Sequence, residues 1–142
     1  MQVSTLYGLQ KKRKMMNLRF LKDEAIKAAR KSPHRIKVGA VIFKRNRIIS
    51  IGTNHPLKAA RHLHPRYQRW KGSIHAEVDA ILKAKTDLKR CNILVVRINR
   101  FGEIRNSKPC DQCFSYIRAV GIKKVYFTNR ELFYYSLKEV TL

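Results

Sequence analysis

Two short motifs place a carboxylate, an imidazole and two thiols where they could act together: His75-Ala76-Glu77 and Pro109-Cys110-Asp111-Gln112-Cys113. Cys110 and Cys113 are three residues apart, so on a helix their sulfurs project from one face of a single turn. At a helix start, unpaired backbone N–H groups and the positive end of the dipole favour the thiolate. His75 and Glu77 are two apart, about 200° around a regular helix, and would diverge in its interior. At a cap the side chain is not yet committed to the spiral, and both can turn toward one point. One imidazole and two thiolates make three tetrahedral ligands for Zn2+ and leave the fourth position for water. Two thiolates also neutralise the ion, which makes it a weaker Lewis acid than one held by three imidazoles. Chemistry there needs a carboxylate to take and return protons, and Glu77 meets that need. Alone, Pro-Cys-x-x-Cys reads as a structural zinc clip or a redox pair, and His-Ala-Glu as a surface helix start. Together they describe a catalytic metal site.

The flanking residues supply the helix starts. Apolar spacing resumes after each motif: Val78, Ile81 and Leu82 within a helix over His75–Lys85, and Phe114, Ile117 and Val120 within a helix over Cys110–Val120 that Gly121 stops. An earlier helix carries Leu18, Leu21, Ala25, Ala28 and Ala29 on one stripe and ends at Ser32-Pro33. Val38–Phe43 and Ile48–Ile51, joined by the polar turn Lys44–Arg47, read as a hairpin. Asn92–Ile98, closed by Phe101-Gly102, and Lys124–Thr128 are further strands. Leu132–Val140 is either a strand or a short helix, and the turn-like Thr128–Glu131 favours a hairpin. The order α-β-β-α-β-α-β predicts an α/β fold, a three-layer α/β/α sandwich around a central mixed sheet of about five strands. Residues 15–142 are expected to form one domain behind a basic tail over 1–14; Met15-Met16 also allows a start there. Cys91, between a helix and a strand, is expected to be a small buried side chain.

Composition bounds the partners. The chain carries 32 Lys+Arg against 9 Asp+Glu, a formal charge of +23, with 44% hydrophobic residues, too many for a disordered basic tail. No apolar run exceeds Val38–Phe43, far short of a bilayer span. The odd count of three cysteines, behind N-terminal residues with no apolar h-region, leads to the expectation of an unsecreted chain with metal or thiol chemistry in place of a disulfide framework. A cytoplasmic protein is expected, with Lys11–Lys14 as a weak nuclear address. Between Glu24 and Glu77 there are thirteen Lys and Arg residues and no acid. Such crowding is either a solvated face or the footprint of a polyanion. The stretch 54–73 is the densest chemically: Lys58, Arg61, Arg66, Arg69 and Lys71 could follow phosphates while Tyr67 and Trp70 stack bases.

The motif pair resembles the zinc-dependent signature His-x-Glu…Pro-Cys-x-x-Cys of base deaminases, and from about Leu18 to Phe127 the chain is similar to the cytidine/deoxycytidylate deaminase superfamily. Val38-Gly39-Ala40-Val41 resembles the strand that passes under that family's active site, and Gly52-Thr53-Asn54 the end of its second strand. The resemblance implies a cytidine deaminase-like fold, with zinc on His75, Cys110 and Cys113 and proton transfer by Glu77. It further implies that Asn54 holds a sugar hydroxyl, that the Ala76 N–H binds the base carbonyl, and that the Lys108 carbonyl accepts from the exocyclic amine. Lys108 itself departs from the Ser or Glu common before Pro-Cys, and puts a cation beside the base pocket. The long link before His75 is nearer to deoxycytidylate deaminases, which often hold a second zinc there. His55, His62 and His64 could supply ligands, but no cysteine accompanies them, and solvent-exposed histidines are expected instead. A terminal hairpin would fit free cytidine deaminases.

The expected activity is therefore hydrolytic conversion of cytosine to uracil in a free (deoxy)cytidine or (deoxy)cytidylate. Deamination of cytosine, or less readily adenosine, in single-stranded DNA or RNA is the alternative. A non-catalytic zinc-stabilised nucleic-acid-binding module is a third, opposed by Glu77, which such a module does not need. The expected partner is a cytosine nucleotide or single-stranded nucleic acid, with no membrane, and a homo-oligomer remains open.

Overall fold

The computed structural model describes residues 18–56 and 73–142. Helix α1 covers 18–30. The hairpin follows as β1 (Lys37–Lys44) and β2 (Arg47–Thr53), then the two-residue strands β3 (His55–Pro56) and β4 (Ser73–Ile74), and helix α2 (Ala76–Lys83). Strands β5 (Asn92–Ile98) and β6 (Ile104–Arg105) precede helix α3 (Asp111–Ala119), and β7 (Lys124–Glu131) and β8 (Tyr134–Thr141) complete the order. The main sheet runs β2-β1-β5-β7-β8, with β6 paired to β5. It is mixed, because β5 and β7 are parallel while every other pair in it is antiparallel.

Strand alternation sorts the side chains into two cores. Val41 and Phe43 of β1 and Leu94 and Val96 of β5 pack with Leu21, Ala25 and Ala29 of α1. Ala40, Ile42, Ile93 and Val95 point to the other face and pack with Ala76, Ala80 and Ile81 of α2 and Ile117 of α3. That is the three-layer sandwich, one helix on one face and two on the other. Both faces are covered, so the central strands are apolar at consecutive positions. Leu18, placed on the α1 stripe by its spacing, is instead exposed, about two turns before the first buried alanine, Ala25.

Two glycines set how closely the helices approach. A Cβ on Gly39 would lie 2.0 Å from the Ala25 carbonyl oxygen of α1. One on Gly52 would lie 2.3 Å from the Ala76 oxygen and 2.4 Å from the Ala80 nitrogen of α2. Both helices therefore rest on sheet backbone, and α2 is fastened there by Ser50 Oγ, which donates to the Ala80 oxygen at 2.6 Å.

The C-terminal segment is a strand, and the hairpin is longer than its sequence suggested. Asn129 and Arg130, which read as a turn, pair with Ser136 and Tyr135, and the reversal falls at Leu132-Phe133 with Leu132 at φ 54°. The first hairpin likewise turns at Arg45-Asn46, so β2 begins at Arg47. Strands β3, β4 and β6 were not anticipated; β3 and β4 pair the two ends of the long link. The tail over 1–14, with Lys11–Lys14, lies outside the described residues. So do Lys58, Arg61, His62, His64, Arg66, Tyr67, Arg69, Trp70 and Lys71.

Candidate active site

His75 and Cys110 occupy the N-cap positions of α2 and α3, with extended backbone (φ −73°, ψ 151° and φ −68°, ψ 165°), and neither side chain caps its own helix. Each helix begins one residue later than its spacing suggested, which puts His75 and Cys110 outside the spiral. Val78 and Cys113, both fully buried, pack together and dock the two helix starts against each other. His75 Nδ1 then lies 3.3 Å from Cys113 Sγ and 3.8 Å from Cys110 Sγ. The three donor atoms fall within 4.8 Å of one another. Tetrahedral zinc with ordinary bond lengths would hold nitrogen and sulfur about 3.6 Å apart, between the two observed distances.

Electrostatics makes the same case for a cation. Burial pushes the Cys113 thiol far above its ordinary range, and the negative charges of Glu77 and Cys110 push it further. Burial also raises Glu77, against backbone and Cys113 hydrogen bonds that lower it, and lowers His75. The helix start alone therefore does not make Cys113 a thiolate, as its position had suggested. Two thiolates beside a carboxylate that is 5% exposed require a positive charge, and the donor set fits zinc.

The site opens on a cleft of about 540 Å³, within the usual size of small-molecule sites, lined by His75, Ala76, Glu77, Cys110, Asn54 and Lys108 among others. Asn54 is nearly buried, and its side chain is partly committed. Its Oδ1 accepts from the Val38 N–H and its Nδ2 donates to the Ile36 oxygen, both at 2.8 Å. One amide hydrogen remains for a ligand. Ala76 is fully buried at the first position of α2, where a backbone N–H has no partner within its helix. Lys108 is exposed, and its own N–H donates to Asn106 Oδ1 at 2.9 Å.

Residues without a recognisable motif hold these groups in place. Asp79, 4% exposed, accepts from the Thr53 N–H at 2.9 Å, pairs with Lys83 at 2.9 Å and meets His55 Nε2 at 3.0 Å. It ties the end of β2 to α2. Its spacing to Lys83 was the one available signal. His55 keeps 39% of its side chain exposed while its ring is held by Asp79. Its other ring nitrogen meets the Pro56 oxygen at 2.9 Å, so both nitrogens are already engaged. Ser107 Oγ donates to the Val95 oxygen and accepts from the Thr128 N–H, both at 2.7 Å, pinning the segment before Cys110 to β5 and β7. Cys91 is 1% exposed within the core, as expected.

The family described as the cytidine and deoxycytidylate deaminase zinc-binding region matches residues 15–129. An uncharacterized deaminase of Aliivibrio fischeri is 39% identical over 93 residues, covering 63% of this chain and 56% of that protein; the match thus spans little more than half of the relative. Among solved structures, cytidine deaminase from Burkholderia pseudomallei superposes with a TM-score of 0.59 at 20% identity, over 87% of this chain and 91% of that one. A mutant cytidine deaminase from Mycobacterium tuberculosis gives a TM-score of 0.52 at 18% identity, over 82% of this chain and 85% of that one. These two likenesses are of fold. No helix among the described residues is long and apolar enough to cross a membrane.

Proposed function

Because the chain belongs to the cytidine and deoxycytidylate deaminase zinc-binding family, we propose that it is a hydrolytic deaminase converting cytosine to uracil in free (deoxy)cytidine or (deoxy)cytidylate. The observation that carries this is the convergence of His75, Cys110 and Cys113 within 4.8 Å at one cleft, with Glu77 buried beside Cys113. Bound zinc supplies the Lewis acidity that makes water a competent nucleophile at neutral pH. Glu77 takes the proton of the attacking water and returns protons to the ring nitrogen and the departing amine. Water adds at the ring carbon, the carbon–nitrogen bond breaks, and ammonia leaves. The Ala76 N–H and the Lys108 carbonyl orient the base, and the free amide hydrogen of Asn54 faces the sugar.

Action on single-stranded DNA or RNA is the alternative, favoured by the acid-free run of cations between Glu24 and Glu77. Zinc-loaded full-length chain assayed on nucleosides, nucleotides and single-stranded oligonucleotides, with uracil formation as the readout, tests both. If about five phosphates are neutralised, log affinity for an oligonucleotide falls against log salt with a slope near −3.5. A mononucleotide enzyme shows only a shallow dependence. Formation of no uracil from any of these substrates would refute the deaminase assignment.

A further inference from the structure

Arg97 lies on β5 at the parity of Ile93 and Val95, and so faces the side of the sheet that carries α2, α3 and the candidate site. It lines the cleft together with Arg35 and Lys108, and among the described residues Glu77 is the only acidic side chain in that lining. A second cleft of about 400 Å³ shares Arg35, Ile36 and Arg97 with the first and adds Arg100, but includes neither His75, Glu77 nor Cys110. Arg35 and Arg97 therefore stand where the two clefts adjoin. The Nε of Arg97 is buried and has no hydrogen-bond partner among the described residues. The nearest acid in the pairing register, Glu103 beside β6, is already engaged by Arg105 and by Asn99 Nδ2.

Among the described residues no acid but Glu77 lines either cleft, so the charges of Arg97 and Arg35 are left without a neutralising partner at that end and favour an anionic ligand. The planar guanidinium fork matches phosphate oxygens, and cations without compensating acids draw an anion into the cleft. We infer that Arg97, supported by Arg35, forms a subsite for the phosphate of a nucleoside monophosphate, so that this chain selects (deoxy)cytidylate over (deoxy)cytidine. The inference rests on the deaminase assignment and narrows its substrate.

The test compares deoxycytidylate with deoxycytidine in zinc-loaded wild type, Arg97→Gln and Arg35→Gln, reading the ratio of kcat/KM for the two substrates. A charge-assisted hydrogen bond to phosphate should make that ratio roughly ten- to a hundredfold in wild type and reduce it toward unity in Arg97→Gln, mainly through KM. Arg35 is exposed, so Arg35→Gln keeps the test decisive if Arg97→Gln does not fold; its ratio should fall by a smaller factor. Calorimetric binding of the products deoxyuridylate and deoxyuridine should show the same preference without requiring turnover. If neither substrate is deaminated, the deaminase assignment fails while the product-binding ratio still decides the subsite. Equal use and binding of nucleotide and nucleoside, a ratio unchanged in both variants, or turnover of an oligonucleotide but not of deoxycytidylate would overturn it.

Discussion

Gly52→Ala should cost stability and zinc affinity together, because the helix that carries His75 rests on that glycine. The added Cβ would sit 2.3 Å from the Ala76 oxygen and 2.4 Å from the Ala80 nitrogen, whereas ordinary contact begins at 3.4 Å. Both neighbours are backbone, so no side chain can swing aside, and α2 must move by about 1 Å. Overpacking of this kind costs about 1–3 kcal/mol, which for a domain of this size lowers Tm by roughly 3–9 °C. The displaced residue Ala76 adjoins His75, and misplacement by about 1 Å at a reacting site can cost on the order of a hundredfold in rate. Gly39→Ala is the matched control: its Cβ would lie 2.0 Å from the Ala25 oxygen, but on α1, across the sheet from the metal ligands. Thermal denaturation with and without zinc, and competition with a chromophoric chelator, separate the two effects. Both variants should lose stability, and only Gly52→Ala should also lose zinc affinity. A Gly52→Ala protein with wild-type Tm, or a Gly39→Ala protein with equally weakened zinc binding, would refute this account of how α2 is seated.

Glu77→Gln should keep zinc while turnover falls by about 10²–10⁴ or more, as expected for a group serving several proton transfers; loss of the metal in that variant would make Glu77 a ligand instead. Elemental analysis should find about one zinc per chain, abolished by Cys113→Ser; two per chain would revive a second site at His55, His62 and His64. Burial raises Glu77 above its ordinary carboxylate value, so the metal-free folded chain binds that proton more tightly than the unfolded chain does. The stability this confers is fully present below the ordinary value and lost as pH rises through the raised one, and urea denaturation of metal-free Glu77→Gln should show a correspondingly flatter pH profile.

The amino-acid sequence by itself determined the local features. Spacing placed helix starts at His75 and Cys110, and residue type supplied a ligand set and a proton carrier, because both kinds of signal are confined to a few consecutive residues. Most strands were legible for the same reason, being apolar runs bounded by polar turns. The tertiary structure decided what depends on pairing between distant segments. Asn129 and Arg130 look like a turn in isolation, yet they extend β7 because Ser136 and Tyr135 lie opposite them. Arg97 looks like a polar break in an apolar strand, and only the sheet's orientation toward α2 and α3 puts it in the cleft. Asp79 belongs to no motif, and only the packing of β2 against α2 brings the Thr53 N–H to it. Cys113 shows most clearly why sequence stops short. Its helix position favours a thiolate, but burial beside Glu77 and Cys110 reverses that preference, and burial is a property of the packed chain.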